Sequence, residues 1–389
     1  MAESSDDSRF VLRPRQWSRG AWALGALVLL VLLGGGYWAL EEGWGAWNAE
    51  PAMFRGNPAR TGTYDADGPS RPVERKWRFE TERELRSSPV ATESSVYVGS
   101  FDSYVYAIDA ETGEQRWRFE TGGLVFSSPA VAQGIVYVGS RDGRLYALDA
   151  ETGTKHWHFE TQGAVSASPA VAAGRVYLGS RSGNVYALDA RTGQEQWSFQ
   201  TKGGVRSSPA VSEGRVYVGS FDHHVYALRA ETGGEEWRFE TGGPVFSSPA
   251  VGDSTVYVGS LGGSVYAIGR ETGRERWRFD TGPKVTSSPA LAHGTVYVGS
   301  FDRSLYALDA QTGTPRWQFD VGGFVFSSPA VVDGTVYVGS PDTHLYALDA
   351  ETGEQRWRFK TEAGIGASPS VVGETLYVGS RDNYVYALE

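Results

Sequence analysis

The chain has 389 residues, 40% of them hydrophobic and 13% aromatic, with 50 Gly and a formal net charge of -10. It has no Cys, which excludes a disulfide framework, a cysteine zinc site and a thiol nucleophile. The acidic balance argues against a nucleic-acid partner held by a basic face, while the Gly and aromatic content suits many short strands joined by tight turns.

Residues 1–20 form a polar tail that contains Arg9, Arg13, Arg15 and Arg19. Residues 21–40, AWALGALVLLVLLGGGYWAL, carry no charge. Twenty helical residues span about 30 Å, the thickness of a bilayer's hydrocarbon core. Trp22, Tyr37 and Trp38 sit near the ends, and Glu41 and Glu42 follow. Arginine before the span and acid after it keep the N-terminus in the cytoplasm and export the rest. No clean small-x-small cleavage site follows, so a retained signal-anchor is favoured over a cleaved signal peptide. The expectation is a single-pass membrane protein with its main body on the periplasmic or extracellular side. Residues 41–72 form a connector that includes MFRGNPARTGTY, Met53 to Tyr64.

Residues 73–389 repeat every 40 residues without insertion or deletion. One unit, residues 121–160, carries four strand signals. They are Pro129-Ala130-Val131, Ile135 to Gly139, Arg144 to Leu148, and His156 to Phe159. Turn signals separate them, among them Gln133-Gly134, Arg141-Asp142-Gly143 and Glu151-Thr152-Gly153. Alternating β-branched and aromatic residues between such turns predict an antiparallel meander. Four strands in about 40 residues make one propeller blade. A Ser-Pro or equivalent element begins the inner strand at Pro89 and every 40 residues to Pro369, eight times in all. A tryptophan marks the outer strand at Trp77, Trp117, Trp157, Trp197, Trp237, Trp277, Trp317 and Trp357. The first Trp precedes the first Ser-Pro, and the chain stops after the eighth third strand. Val73 to Glu80 must therefore supply the missing outer strand of the last blade and close the ring. The fold class predicted is all-β, an eight-bladed propeller preceded by one transmembrane helix.

The unit resembles the PQQ-like propeller repeat and its tryptophan-docking motif A-x-D-x-x-T-G-x-x-x-W. The motif stands here as Ala107, Asp109, Thr112, Gly113 and Trp117, and again as Ala347, Asp349, Thr352, Gly353 and Trp357. Arg229 and Gly269 replace its Asp in two blades. The family includes PQQ-dependent dehydrogenases, BamB-like outer-membrane assembly lipoproteins and other exported propellers. The resemblance implies either a protein-binding scaffold, in envelope or outer-membrane protein assembly, or a quinone enzyme. Lipidation is not available to a chain without Cys.

A residue present in every blade cannot mark a unique site. The eight Trp are structural in this reading, each packed between blades with a partner for its N–H. Tyr97, Tyr106 and their copies are expected in the same packing. The Gly99-Ser100 pair and its copies end the second strand, where Gly permits a bulge or a positive φ. Asp102, Asp142, Asp222, Asp302, Asp342 and Asp382 suit Asx turns better than a calcium ring, which needs six to eight converging oxygens.

The variable positions cluster on one face. Before the Pro stand Arg86, Phe126, Ser166, Arg206, Phe246, Thr286, Phe326 and Gly366; after the Gly-Ser pair stand Phe101, Arg141, Arg181, Phe221, Leu261, Phe301, Pro341 and Arg381. Arg and aromatics are the usual anchors of binding surfaces, so these residues form a candidate binding rim. Repeat drift with local packing is the simpler alternative. No catalytic residue and no metal ligand set stands out, and no cofactor is expected. Quinone enzymes of the family hold PQQ with Ca²⁺, an Asp base and long pocket-building insertions. This chain has uniform blades, and its Trp residues are all in docking positions or before residue 48. The leading expectation is a non-enzymatic, membrane-anchored scaffold with a protein or peptide partner and no nucleic acid. The alternatives are a PQQ-dependent dehydrogenase and a purely structural surface module.

Overall fold

Eight antiparallel sheets, seven of four strands and one with a fifth short strand on its inner edge, follow one another around an axis in the computed structural model, which describes residues 52–69 and 71–389. The segment 21–40 lies outside the described residues, so the predicted transmembrane helix does too. Blade one runs from Val90–Ala91 to Gln115–Glu120, and each later blade repeats it 40 residues on. In blade two the strands are Ala130–Ala132, Ile135–Gly139, Arg144–Asp149 and Lys155–Glu160. The second matches the sequence expectation. The inner strand begins one residue later, after Pro129, and the outer two are longer at their ends.

Pleating sends alternate residues to opposite faces, and both faces of the middle strands meet a neighbouring blade. Val96, Tyr97 and Val98 are therefore all buried, as are their copies. Each docking Trp except Trp357 packs on the next blade's motif glycine: Trp77 on Gly113, Trp117 on Gly153, Trp317 on Gly353. A Cβ on Gly113 would lie 2.7 Å from the indole, and its φ of 74° already favours glycine. The indole N–H donates across the blade boundary, from Trp77 to the Ala110 carbonyl (3.0 Å) and from Trp117 to that of Ala150 (2.9 Å). Trp157 keeps the packing without the bond. Tyr97 donates to the same Ala150 carbonyl at 3.1 Å.

Gly99 corrects one expectation. Its φ is not positive. What it provides is clearance, because a Cβ there would collide with the Val125 side chain of the next blade. The copies at Gly139, Gly179 and Gly219 face Val165, Val205 and Val245 in the same way. The six Asp form the expected Asx turns: Asp102 Oδ1 accepts from the Tyr104 N–H at 2.9 Å. Its other oxygen accepts from the Tyr106 hydroxyl at 2.9 Å and the Glu82 N–H at 3.0 Å.

Arg75–Glu80 pairs antiparallel with Tyr384–Leu388, Trp77 opposite Ala387, and completes blade eight as predicted. Reciprocal bonds between Glu74 and Glu389 extend this ladder by one step.

Burial sets the response to alkali. It raises the phenols of Tyr97, Tyr177 and Tyr377, and pushes Tyr217 and Tyr337 up to about 12 from the ordinary 10.0. The unfolded chain loses these protons near pH 10 while the folded chain keeps them. Their contribution is thus fully present below pH 10 and lost as pH rises through 12. The urea midpoint is expected to stay level up to about pH 10 and to fall between there and about pH 12. Tyrosinate absorbance of the folded protein should appear later than that of the urea-unfolded protein. Coincident titrations would refute the burial argument.

Candidate functional site

The connector is built into the ring. Ala52–Met53 pairs with the inner strand of blade two, Met53 opposite Ala130. The chain then winds past successive inner edges. Val211, Val251, Leu291 and Val331 donate their N–H groups to the carbonyls of Pro58, Ala59, Thr61 and Gly62. Inner strands are edge strands with unpaired backbone groups, and the connector satisfies them on the face opposite the variable rim. Pro69 then substitutes for a missing residue. In blades one, three, five and six Trp and Tyr donate to one Ala carbonyl of the next blade, those of Ala150, Ala230, Ala310 and Ala350, but the eighth copy of this Ala is missing. Trp357 and Tyr337 donate to the Pro69 carbonyl instead, at 3.2 and 2.8 Å.

Two connector side chains enter the axis. Arg55 and Arg60 are 2% and 0% exposed, and neither has a carboxylate partner among the described residues. Arg60 donates to the carbonyls of Pro209 (2.5 Å), Ser168 and Pro169 (2.9 Å each) and Phe54 (2.8 Å). Arg55 donates to the Pro289 carbonyl. Desolvation pushes both guanidinium groups down to about 9, so they stay charged at neutral pH. Nothing in the repeat announces this plug, because its partners are backbone carbonyls. The MFRGNPARTG stretch, with two Arg in a Gly- and Asn-rich segment, was the one available signal.

Above the plug the inner strands open into a funnel of about 330 Å³. Its floor is Phe54 and a ring of eight serines, from Ser88 to Ser368 at 40-residue spacing. The N–H of each serine donates to the Oγ of the next blade's serine: Ser88 to Ser128 at 3.0 Å, Ser128 to Ser168 at 3.0 Å. The Ser368 N–H returns to Ser88 Oγ at 2.8 Å, so the circle closes. The serine before each Pro was visible in the sequence as part of the inner-strand element. Its role was not, since a hydroxyl so placed has no pattern beyond the repeat itself.

All eight positions before the Ser-Pro element line the funnel: Arg86, Phe126, Ser166, Arg206, Phe246, Thr286, Phe326 and Gly366. Of the positions after the Gly-Ser pair, Arg381 lines it too. Phe101, Arg141, Phe221 and Phe301 pack against the wall residues. Phe101 packs on Phe126 with centroids 4.3 Å apart, and Phe221 faces Phe246 at 6.5 Å. Arg141 lies 4.7 Å over Phe126, Arg206 lies 4.9 Å over Phe246, and Arg381 lies 5.6 Å over Phe326. Cation–π contacts of this kind hold the guanidinium groups without neutralising them. Arg181 is exposed at the mouth, and its charge with that of Arg141 depresses Arg206 beyond the larger effect of burial. Arg86 pairs with Glu84 at 3.2 Å. No Asp or Glu lines the funnel among the described residues. Phe301 stacks on Phe324 at 5.2 Å and meets Phe326 edge-on at 4.7 Å. Phe324 and Phe326, 54% and 40% exposed, are the exposed large hydrophobics of the described chain. The funnel thus has an arginine sector on blades eight and one to four, and an apolar sector on blades six and seven.

The fold is shared with proteins of several kinds. BamB from Moraxella catarrhalis superposes with a TM-score of 0.70 at 21% identity, over 82% of this chain and 99% of that one. A europium-containing methanol dehydrogenase gives 0.76 at 16% identity, over 88% and 99%. The quinohemoprotein alcohol dehydrogenase from Comamonas testosteroni gives 0.75 at 18%, over 87% and 80%. No curated protein matches the chain. The family model described as outer membrane protein assembly factor BamB matches residues 73–203, 181–268 and 261–389, which together span the ring. With its docking tryptophans and closing strand in place, the chain belongs to that family of PQQ-like repeat propellers.

Proposed function

We propose that this protein is a non-enzymatic scaffold that binds a protein or peptide partner through the Arg/Phe funnel, held at a membrane by residues 21–40 on the exported side. The family it belongs to is described as an outer membrane protein assembly factor, which supports a partner that is a polypeptide. The observation that carries the reading is the funnel wall. Arg86, Arg206 and Arg381 line it together with Phe126, Phe246 and Phe326 over a closed floor. Arg and aromatic side chains in a concave, rigid setting are what binding hot spots are made of.

A quinone oxidoreductase is the second reading, because dehydrogenases share the fold. The lining does not fit a quinone held over a cation. It offers no carboxylate to ligate a metal or to act as base, and no indole to stack on the ring.

The test is capture of partners by the full chain from its own envelope, before and after R86E, R206E and R381E together. Bound partners should fall by at least ~tenfold, as expected for loss of central Arg anchors. Undiminished capture would leave a structural module. Dye reduction with alcohols or sugars in the presence of PQQ and Ca²⁺ would instead establish the enzyme.

A further inference from the structure

The serine circle uses only half of each hydroxyl. A hydroxyl has one proton to donate and two lone pairs to accept with. Each ring Oγ accepts a backbone N–H, as Ser208 does from Ser168 at 2.9 Å and Ser288 from Ser248 at 2.9 Å. These serines are about 95% buried yet line the funnel, and their protons have no acceptor among the described residues. Buried donors without acceptors call for an explanation. The wall adds more. Arg206 Nε, Arg381 Nε, Ser166 Oγ and Thr286 Oγ1 are buried and unpartnered.

The charges point the same way. Arg206 and Arg381 above the floor, and Arg55 and Arg60 below it, form no ion pair among the described residues. Arg60 lies 5.3 Å from the Phe54 ring that separates the two levels. A column of positive charge therefore runs along the axis of a chain whose net charge is -10. A cleft lined by one sign with low-dielectric walls focuses that potential on whatever enters.

We infer that the funnel floor is an oxyanion site that seats a carboxylate, with an apolar group beside it on Phe324 and Phe326. This rests on the funnel being the partner-binding face, and it adds the chemistry of the partner. Serine protons and guanidinium N–H groups converge on the carboxylate oxygens, in charge-assisted bonds stronger than neutral ones. The exposed Phe pair takes the neighbouring apolar side chain. The carboxylate arrives either on a polypeptide or as a small free acid.

Both sources are tested by titrating the full chain with matched probes. One pair is a short acetylated peptide with a single glutamate between phenylalanines, and the same peptide with glutamine. The other pair is benzoate and benzamide. The acid of at least one pair should bind about tenfold more tightly than its amide, the effect of one charge-assisted contact. The preference should vanish in R206Q/R381Q and shrink at high salt in the unmodified protein. A preference confined to the peptides assigns the carboxylate to a polypeptide, and one shared by benzoate assigns it to any carboxylic acid. Equal binding of acid and amide in both pairs, or no binding of any probe, overturns the site. If partner capture still falls in the triple Glu variant, the scaffold reading survives that failure. The thermal melt of R206Q/R381Q shows whether it is folded, and the salt dependence needs no variant.

Discussion

A chain that begins at residue 81 should fail to form a stable monomeric ring, whereas one that begins at residue 71 should form it. The two differ by the strand Arg75–Glu80 and its short lead, and both lack the plug. Without that strand the last blade ends on Tyr384–Leu388, whose outer edge carries unpaired N–H and C=O groups. Such an edge templates association with another chain. The indole of Trp77 also leaves its place between Tyr377 and Gly113. Loss of a buried Trp side chain alone costs about 3–5 kcal/mol. The Lys76 pairs with Glu111 and Glu389 sit at the surface and add little by comparison. The shorter chain should therefore sediment as oligomers or aggregate. The peptide VERKWRFE added in trans should restore a monomer, and the same peptide with Ala for Trp should not. A monomeric, cooperatively melting 81–389 chain would show that the ring closes through its inner strands alone.

Much of this architecture was legible because it is repeated. The 40-residue period gave blade number, strand order and the closing strand, since one Trp stands ahead of the first Ser-Pro. The Asx turns were legible for a similar reason, as a short side chain two residues before a strand has few other uses. What could not be read was whatever the structure does once or does through the backbone. The connector follows no period, and its carbonyls accept from Val and Leu N–H groups of the inner strands while its Arg side chains donate to main-chain carbonyls. Pro69 works through its carbonyl oxygen, which every residue has. Gly99 looked like a conformational glycine, but the constraint is Val125 of the next blade, a contact no local pattern specifies. The rim residues were readable as departures from the repeat. Their division into an arginine sector and an apolar sector follows from the blade order around the ring, once each position is placed at the funnel.

Replacing Arg60 should be among the most damaging single changes in the described ring. Its guanidinium joins blades three and four to the connector through four carbonyl oxygens. Methionine at this position fills similar volume but donates nothing. Part of the loss is offset, because a buried cation is itself costly to desolvate and Met removes that cost. Hydrogen bonds to charged groups contribute about 1.5–3 kcal/mol each, and breaking a buried network by one partner costs about 3–5 kcal/mol. R60M is therefore expected to lose roughly 3–5 kcal/mol in urea unfolding, with the slope unchanged. R60K keeps the charge but lacks the planar fork that spans several carbonyls, so it should fall between. The same substitution should loosen the funnel floor, since Arg60 holds the Phe54 carbonyl and lies against its ring. Protease cleavage between Met53 and Tyr64 should then rise in R60M. If R60M is as stable and as resistant as the parent, the N–H groups of Val211, Val251, Leu291 and Val331, with Arg55 and the Ala52–Met53 pairing, hold the plug without Arg60. Arg60 would then matter only for the potential it sets beneath the funnel.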